Sequence, residues 1–456
     1  MNGPASTQLW APLAWVEGAW ARDVAMTVDS AGRWSSIQPH TRAPSQAHLL
    51  PGPVLPALVN AHSHSFQRAF VGLSERRDSA HDDFWSWRDR MYGVALRITP
   101  EQLHAVAVHL YTELLAGGYT HTCEFHYLHH SESGQPYADE ATMSRALAQA
   151  AVDTGMGLTL LPVLYERAGF AQPQLRGDQR RFATDVARVL RLRDAVRSWR
   201  LPHVDAGVAV HSLRAAAPTS LHELARLLQG DPGPIHIHIA EQTGEVNDCV
   251  ATTGKRPIAW LTSELPLDAR WQLVHATHAT PEEIQAVAAS GAGVVICPGT
   301  EANLGDGLCD LTRWLASSTP LSVGSDSQVT RNWTEELRWL EYGQRLALRQ
   351  RNVAADSDGQ SATAARLVQR MLSGGAAAAG WSASGLVAGA RADLLVLNSA
   401  DPGLTGVPDS HLLDAAVFAA SGQPFAGTWV AGRCVQRADT APAMQRAMQQ
   451  LWSPPV

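Results

Sequence analysis

Four short stretches of the chain carry side chains suited to holding a cation and moving protons. His62-Ser63-His64 spaces two imidazoles so that both fall on one side of an extended strand. His236-Ile237-His238-Ile239-Ala240-Glu241 repeats that spacing and adds a carboxylate three residues after His238. Leu273-Val274 runs into His275, and Val323-Gly324-Ser325 runs into Asp326. A carboxylate leaving an apolar strand is costly without a cation or a donor beside it. Three histidines and one carboxylate suit Zn²⁺ and leave a position for water. His238 lies nearer the strand exit than His236 and is the better ligand; His236 reads as a hydrogen-bonded interior histidine. His278, in the loop after His275, reads as exposed or capping. The chemistry within reach is a metal-assisted hydrolysis.

Such residues converge only if parallel strands open at a common end. Short apolar runs at 54–60, 119–124, 158–163, 207–211, 235–240, 272–275, 293–297 and 321–325 alternate with helical stretches. Thr99-Pro100-Glu101 and Thr280-Pro281-Glu282 set an N-cap, a first-turn proline and an early acid in order. Eight strands alternating with helices predict an α/β fold, a (β/α)8 TIM barrel, with chemistry at the strand exits. An open doubly wound sheet has less support, because no glycine-rich dinucleotide fingerprint follows the first strand. Both ends read as β. Val24, Met26 and Val28 alternate before a turn at 29–32, and Leu394–Leu397 is a short apolar strand. Residues 428–435 read as a hairpin turning at Ala431-Gly432. The simplest packing joins 1–54 and 381–456 into a small β-sandwich domain beside a catalytic barrel of residues 55–380.

The 456 residues carry a formal net charge of −7, so no basic surplus exists for nucleic acid or an anionic membrane. No apolar run reaches the roughly 18–20 residues of a membrane helix, and no signal peptide is visible. Five cysteines without a C-x-x-C pair suit a reducing compartment, so a cytoplasmic enzyme is expected. Cys123 and Cys297 lie in apolar runs and read as core.

The order H-x-H, H-x-x-E, His, Asp, with β segments at both ends, resembles the amidohydrolase superfamily. Within it the order is similar to the one-metal deaminases that act on adenosine and cytosine. The resemblance implies one zinc per chain on His62, His64, His238 and Asp326. It also implies that Asp326 takes a proton from the attacking water, that Glu241 carries protons to the departing nitrogen, and that His275 polarises the electrophile or steadies the attacking hydroxide. Many two-metal relatives bridge their ions with a lysine on the fourth strand. Here the only lysine is Lys255, after the fifth, so that bridge is unavailable, while a glutamate-bridged second metal stays open. Iron or another divalent ion also stays open.

Residues 62–69, 83–88, 210–214 and 326–338 resemble, more narrowly, the formiminoglutamate-deiminating branch of histidine degradation. That resemblance implies Gln67, Arg88, Tyr127, His211 and Arg214 around a small dicarboxylate, and a homodimer. Two carboxylates call for arginine forks. The plainer alternatives are a surface position for Arg88 on a Trp-rich helix and loop packing for Trp85 and Trp87. A deaminase of a purine, pyrimidine or triazine would instead favour stacking aromatics and amide readers. A catalytically dead scaffold barrel would lack a ligand or the acid, yet all six positions are filled.

Overall fold

The computed structural model describes residues 7–76, 84–422 and 424–453, without the side chains of 84–86 and 89. Asp83 and the side chains of Phe84, Trp85 and Ser86 therefore lie outside the described residues.

The expected barrel is present. Its eight strands are Leu58–Ser63, Tyr119–His126, Gly157–Leu164, Val208–Ser212, Ile235–Ile239, Trp271–His275, Gly293–Ile296 and Leu321–Val323. Each pairs in parallel with the next. Seven of the eight are buried throughout, and the fourth is buried apart from His211, which accounts for their near-continuous apolar runs. The circle closes through a parallel bridge between Ser63 and Asp326. At this seam the Asp326 amide donates to the His62 carbonyl at 3.0 Å, and the His64 amide donates to the Asp326 carbonyl at 3.2 Å. Asn60 fastens the same seam, accepting from the Ser325 amide and donating to the Ser325 hydroxyl, both at 2.7 Å.

Thr99 and Thr280 are N-caps as their spacing announced, and each also completes a capping box, with Gln102 and Glu283. The first apolar run is divided. Val54–Leu55 pairs with Leu395 and Val396 in the terminal sheet, and the barrel strand starts only at Leu58. Pro56 has no amide to donate, so the ladder stops there.

Strands from both ends of the chain join in one hydrogen-bonded sheet of eight, including Thr7–Val16, Ala19–Val28, Leu394–Leu397 and Phe425–Val430. Its own core includes Leu9, Met26, Trp34 and Leu394. The hairpin turn falls at Ala431 and Gly432, with φ of +49° and +78°, the left-handed pair that a tight two-residue turn needs. The C-terminal helix, Ala441–Trp452, returns to the barrel, where the Trp452 indole donates to the Ala69 carbonyl at 3.0 Å. All five cysteines are free thiols, and Cys123 and Cys297 are fully buried. Among the described residues no helix is long and apolar enough to cross a membrane.

Candidate active site

Strand exits one, five, six and eight bring the expected residues into two overlapping clusters: His62, His64 and Asp326 lie close together, and His238 joins His62 and His275. His62 Nε2 lies 3.2 Å from His64 Nε2 and 3.0 Å from His238 Nε2. Asp326 Oδ1 lies 3.3 Å from His62 Nε2 and 3.4 Å from His64 Nε2. Atoms about 2.1 Å from a tetrahedral zinc would sit about 3.4 Å apart. The outer nitrogens of two of the rings are already used: His64 Nδ1 donates to the Phe125 carbonyl and His238 Nδ1 to the His211 carbonyl, each at 2.9 Å. This fixes the tautomer and turns both Nε2 lone pairs toward the common centre. Burial pushes the His62 imidazole down to about 3, and lowers His64 and His238 as well. Neutral rings are the ligand form. Burial disfavours the Asp326 anion, yet the adjoining imidazoles, His62 foremost, hold its carboxyl below the usual range. Neutral imidazoles beside an ionised carboxylate are donors that fit a divalent cation.

Two acid–base groups stand beside it. His275 Nε2 is 3.6 Å from Glu241 Oε1 and 3.7 Å from Asp326 Oδ2. Burial pushes the Glu241 carboxyl up to about 7, against the pull of His275. For His275 burial acts downward, but Glu241, Glu301 and Asp326 outweigh it and raise the imidazole to about 10. Glu301 was not anticipated from the sequence. It sits on the short helix Pro298–Leu304 after the seventh strand, 3.2 Å from His275 Nδ1, and accepts from the Cys297 amide at 2.9 Å. The available signal was a carboxylate one turn beyond an apolar strand exit.

The backbone is strained here. Ala240, His275 and Asp326 take φ of +51°, +71° and +45° without being glycine, at about 1–3 kcal/mol each. Gly324 is equally constrained: a Cβ there would fall 2.7 Å from His62 Cβ and 2.8 Å from the His62 backbone nitrogen and oxygen.

Gln67, Arg88, Tyr127, His211 and Arg214 all line one pocket together with Glu241, a space of about 50 Å³ above the ligand atoms. Gln67 Nε2 donates to the Tyr127 hydroxyl at 3.0 Å, and His211 packs edge-on to Tyr165 with ring centroids 4.4 Å apart. Fully buried His62 forms no part of the pocket wall. Arg88, on the helix Phe84–Ala95, faces the pocket rather than only solvent; Trp87 both packs on Phe70 and forms wall. His236 donates Nε2 to the Ala378 carbonyl at 2.9 Å, the interior role expected of it. His278 is half-buried and does not line this pocket. Lys255 forms a surface ion pair with Glu264 at 3.0 Å.

The amidohydrolase family profile matches residues 54–435, and the chain belongs to that family. More particularly, it is a homologue of formimidoylglutamate deiminase, 44% identical over 433 residues to the Pseudomonas aeruginosa enzyme, with 94% of each chain covered. It is 26% identical to a 5-methylthioadenosine/S-adenosylhomocysteine deaminase of Natronomonas pharaonis, over 84% of this chain and 81% of that one. The crystal structure of an amidohydrolase from Brucella melitensis matches with a TM-score of 0.91 at 39% identity, over 98% of this chain and 100% of the other. An adenosine deaminase from Xanthomonas campestris with bound zinc matches with a TM-score of 0.78 at 23% identity over 97% of each chain, a likeness of fold alone.

Proposed function

We propose that the protein hydrolyses N-formimino-L-glutamate to N-formyl-L-glutamate and ammonia, with one zinc ion per chain held by His62, His64, His238 and Asp326. The observation that carries this reading is the meeting of the Nε2 cluster with a pocket bounded by Arg88 and Arg214. The 44% identity to a formimidoylglutamate deiminase supports it.

When bound, the metal supplies Lewis-acid activation of a water. Asp326 accepts the proton that the water gives up as it attacks the formimino carbon. Glu241, whose carboxyl is pushed up to about 7, both takes and gives a proton near neutrality, and delivers one to the nitrogen that leaves as ammonia. His275, kept cationic by the carboxylates around it, steadies the attacking oxygen. Arg88 and Arg214 pair with the two substrate carboxylates, while Gln67, Tyr127 and His211 offer further hydrogen bonds. The reading places the protein in histidine degradation, as a cytoplasmic homodimer; light scattering of the purified protein tests the dimer.

Incubation with N-formimino-L-glutamate, followed by quantification of ammonia and N-formylglutamate, tests the reaction. Formamide and glutamate as products would mean a different hydrolase. Ammonia released from guanine, cytosine or adenosine, and not from formiminoglutamate, would transfer the site to a heterocyclic amine.

A further inference from the structure

Arg88 and Arg214 line two cavities at once. Inward they bound the space of about 50 Å³ over the ligand atoms. Outward they bound a second cavity of about 390 Å³, walled by residues 168–172 and by the helix Thr243–Thr253, with Arg176 as its third cation. Among the described lining residues Asp248 is the one acid. Small-molecule sites ordinarily enclose about 300–1,000 Å³. The inner space falls well below that range, so it suits the reacting end of a ligand, and the outer cavity is left for the rest of it.

Arg176 is built into this outer wall. Its amide donates to Gln179 Oε1 at 3.0 Å, and Gln179 Nε2 in turn donates to the hydroxyls of Tyr92 and Tyr165 at 3.2 and 3.0 Å. Both tyrosines line the inner pocket. The guanidinium lies 5.3 Å from the Tyr92 ring, whose centroid is 5.8 Å from the Arg88 guanidinium, so both cations approach one ring. Asp178 fixes one edge of Arg176, at 3.0 Å from Nε and 2.6 Å from Nη2. Arg176 still has 37% of its side chain exposed. Each of the three arginines already has a partner in the folded chain, Asp178 for Arg176, yet Arg176 keeps an exposed edge in the cavity wall, and a guanidinium matches a carboxylate in shape as well as charge.

We propose that the outer cavity is a capture site for a substrate carboxylate, in which Arg176 receives the dicarboxylate before Arg88 and Arg214 draw it inward. The proposal rests on the dicarboxylate reading above. It makes Arg176 a determinant of substrate capture, separate from the chemical step.

The experiment compares the wild type with Arg176→Ala, Arg176→Lys and Asp178→Asn, measuring kcat and KM for N-formimino-L-glutamate at low and high salt. Calorimetric binding of the dicarboxylate N-formyl-L-glutamate runs in parallel. Arg176→Ala is expected to lower kcat/KM about tenfold at low salt, almost wholly through KM, with the gap narrowing at high salt. Arg176→Lys recovers part of the loss, and product binding weakens in step. Asp178→Asn keeps the guanidinium and removes its neighbouring carboxylate, so kcat/KM stays at or above the wild-type value. Equal kcat/KM and equal product affinity in wild type and Arg176→Ala would overturn the proposal. So would matching losses of kcat in Arg176→Ala and Asp178→Asn, the mark of a merely structural pair. Failure of the wild type to release ammonia would sink the reaction assignment instead, and the calorimetric comparison would still judge the capture site.

Discussion

His275 and Glu301 stand 3.2 Å apart, Nδ1 to Oε1, and both are almost wholly buried. The carboxylate orients the imidazole so that Nε2 faces Glu241 and Asp326. Glu301→Gln keeps the shape and removes the charge. Loss of such an orienting partner typically costs 10–100-fold. We expect kcat to fall within that range while the bound metal remains, by elemental analysis. An unchanged kcat would mean that the pair is structural only.

Glu241→Gln separates chemistry from binding. Proton transfer by a placed side chain contributes about 10²–10⁴-fold. The variant is expected to lose activity on that scale and to retain its metal and its affinity for N-formyl-L-glutamate. A variant with more than a tenth of wild-type kcat would remove Glu241 from the proton path.

Dialysis against a chelator should abolish ammonia release, and one equivalent of zinc per chain should restore it. Because the ion binds the folded chain only, Tm should drop on its removal and recover on its return. His238→Ala should lose the ion and that recovery. Full activity in a metal-free preparation would refute the centre.

Gly324→Ala tests how tightly the site is packed. The added methyl has nowhere to go but into His62. Overpacking of this kind costs about 1–3 kcal/mol, and here the strain falls on a proposed metal ligand. Lower Tm, lower metal content and lost activity should appear together. A variant with normal metal content and rate would show that the seam gives way more easily than its geometry implies.

Asp231 offers a pH test away from the site. Its hydrogen bonds with Arg197 outweigh burial and bring the carboxyl down to about 2 from 3.8. A lowered folded-state value stabilises the protein above the unfolded one, and the gain is lost as pH falls from about 4 toward 2. Asp231 is partly exposed, so about 1–2 kcal/mol is expected. The Tm gap between wild type and Asp231→Asn should therefore be full at pH 6 and shrink below pH 4. A gap that does not vary with pH would contradict it.

Much of the barrel was legible because a buried parallel strand must be apolar and a polar residue at its exit stands out. His62, His64, His238, His275 and Asp326 announce themselves against such runs, and Thr99 and Thr280 announce their helices. Legibility failed where a tertiary choice decided. Val54–Leu55 is as apolar as a barrel strand, but Pro56 diverts it to the other sheet. Glu301 resembles any early helical acid until the fold sets it against His275. The helix Val186–Ser198, capped by Asp185, was not read from the sequence, although Val186, Val189, Leu192 and Val196 follow helical spacing and are buried.

The closing seam places the first and last of the proposed metal ligands on neighbouring strands, although 264 positions of chain separate His62 from Asp326. A ribosome therefore finishes nearly three-quarters of the polypeptide before the coordination sphere can exist. Early fragments hold only an incomplete claw, so on the proposed ligand set loading with an ion would coincide with ring closure. Such an ion would act as a clasp between the two ends of the barrel, and an apoprotein should begin to open along that line.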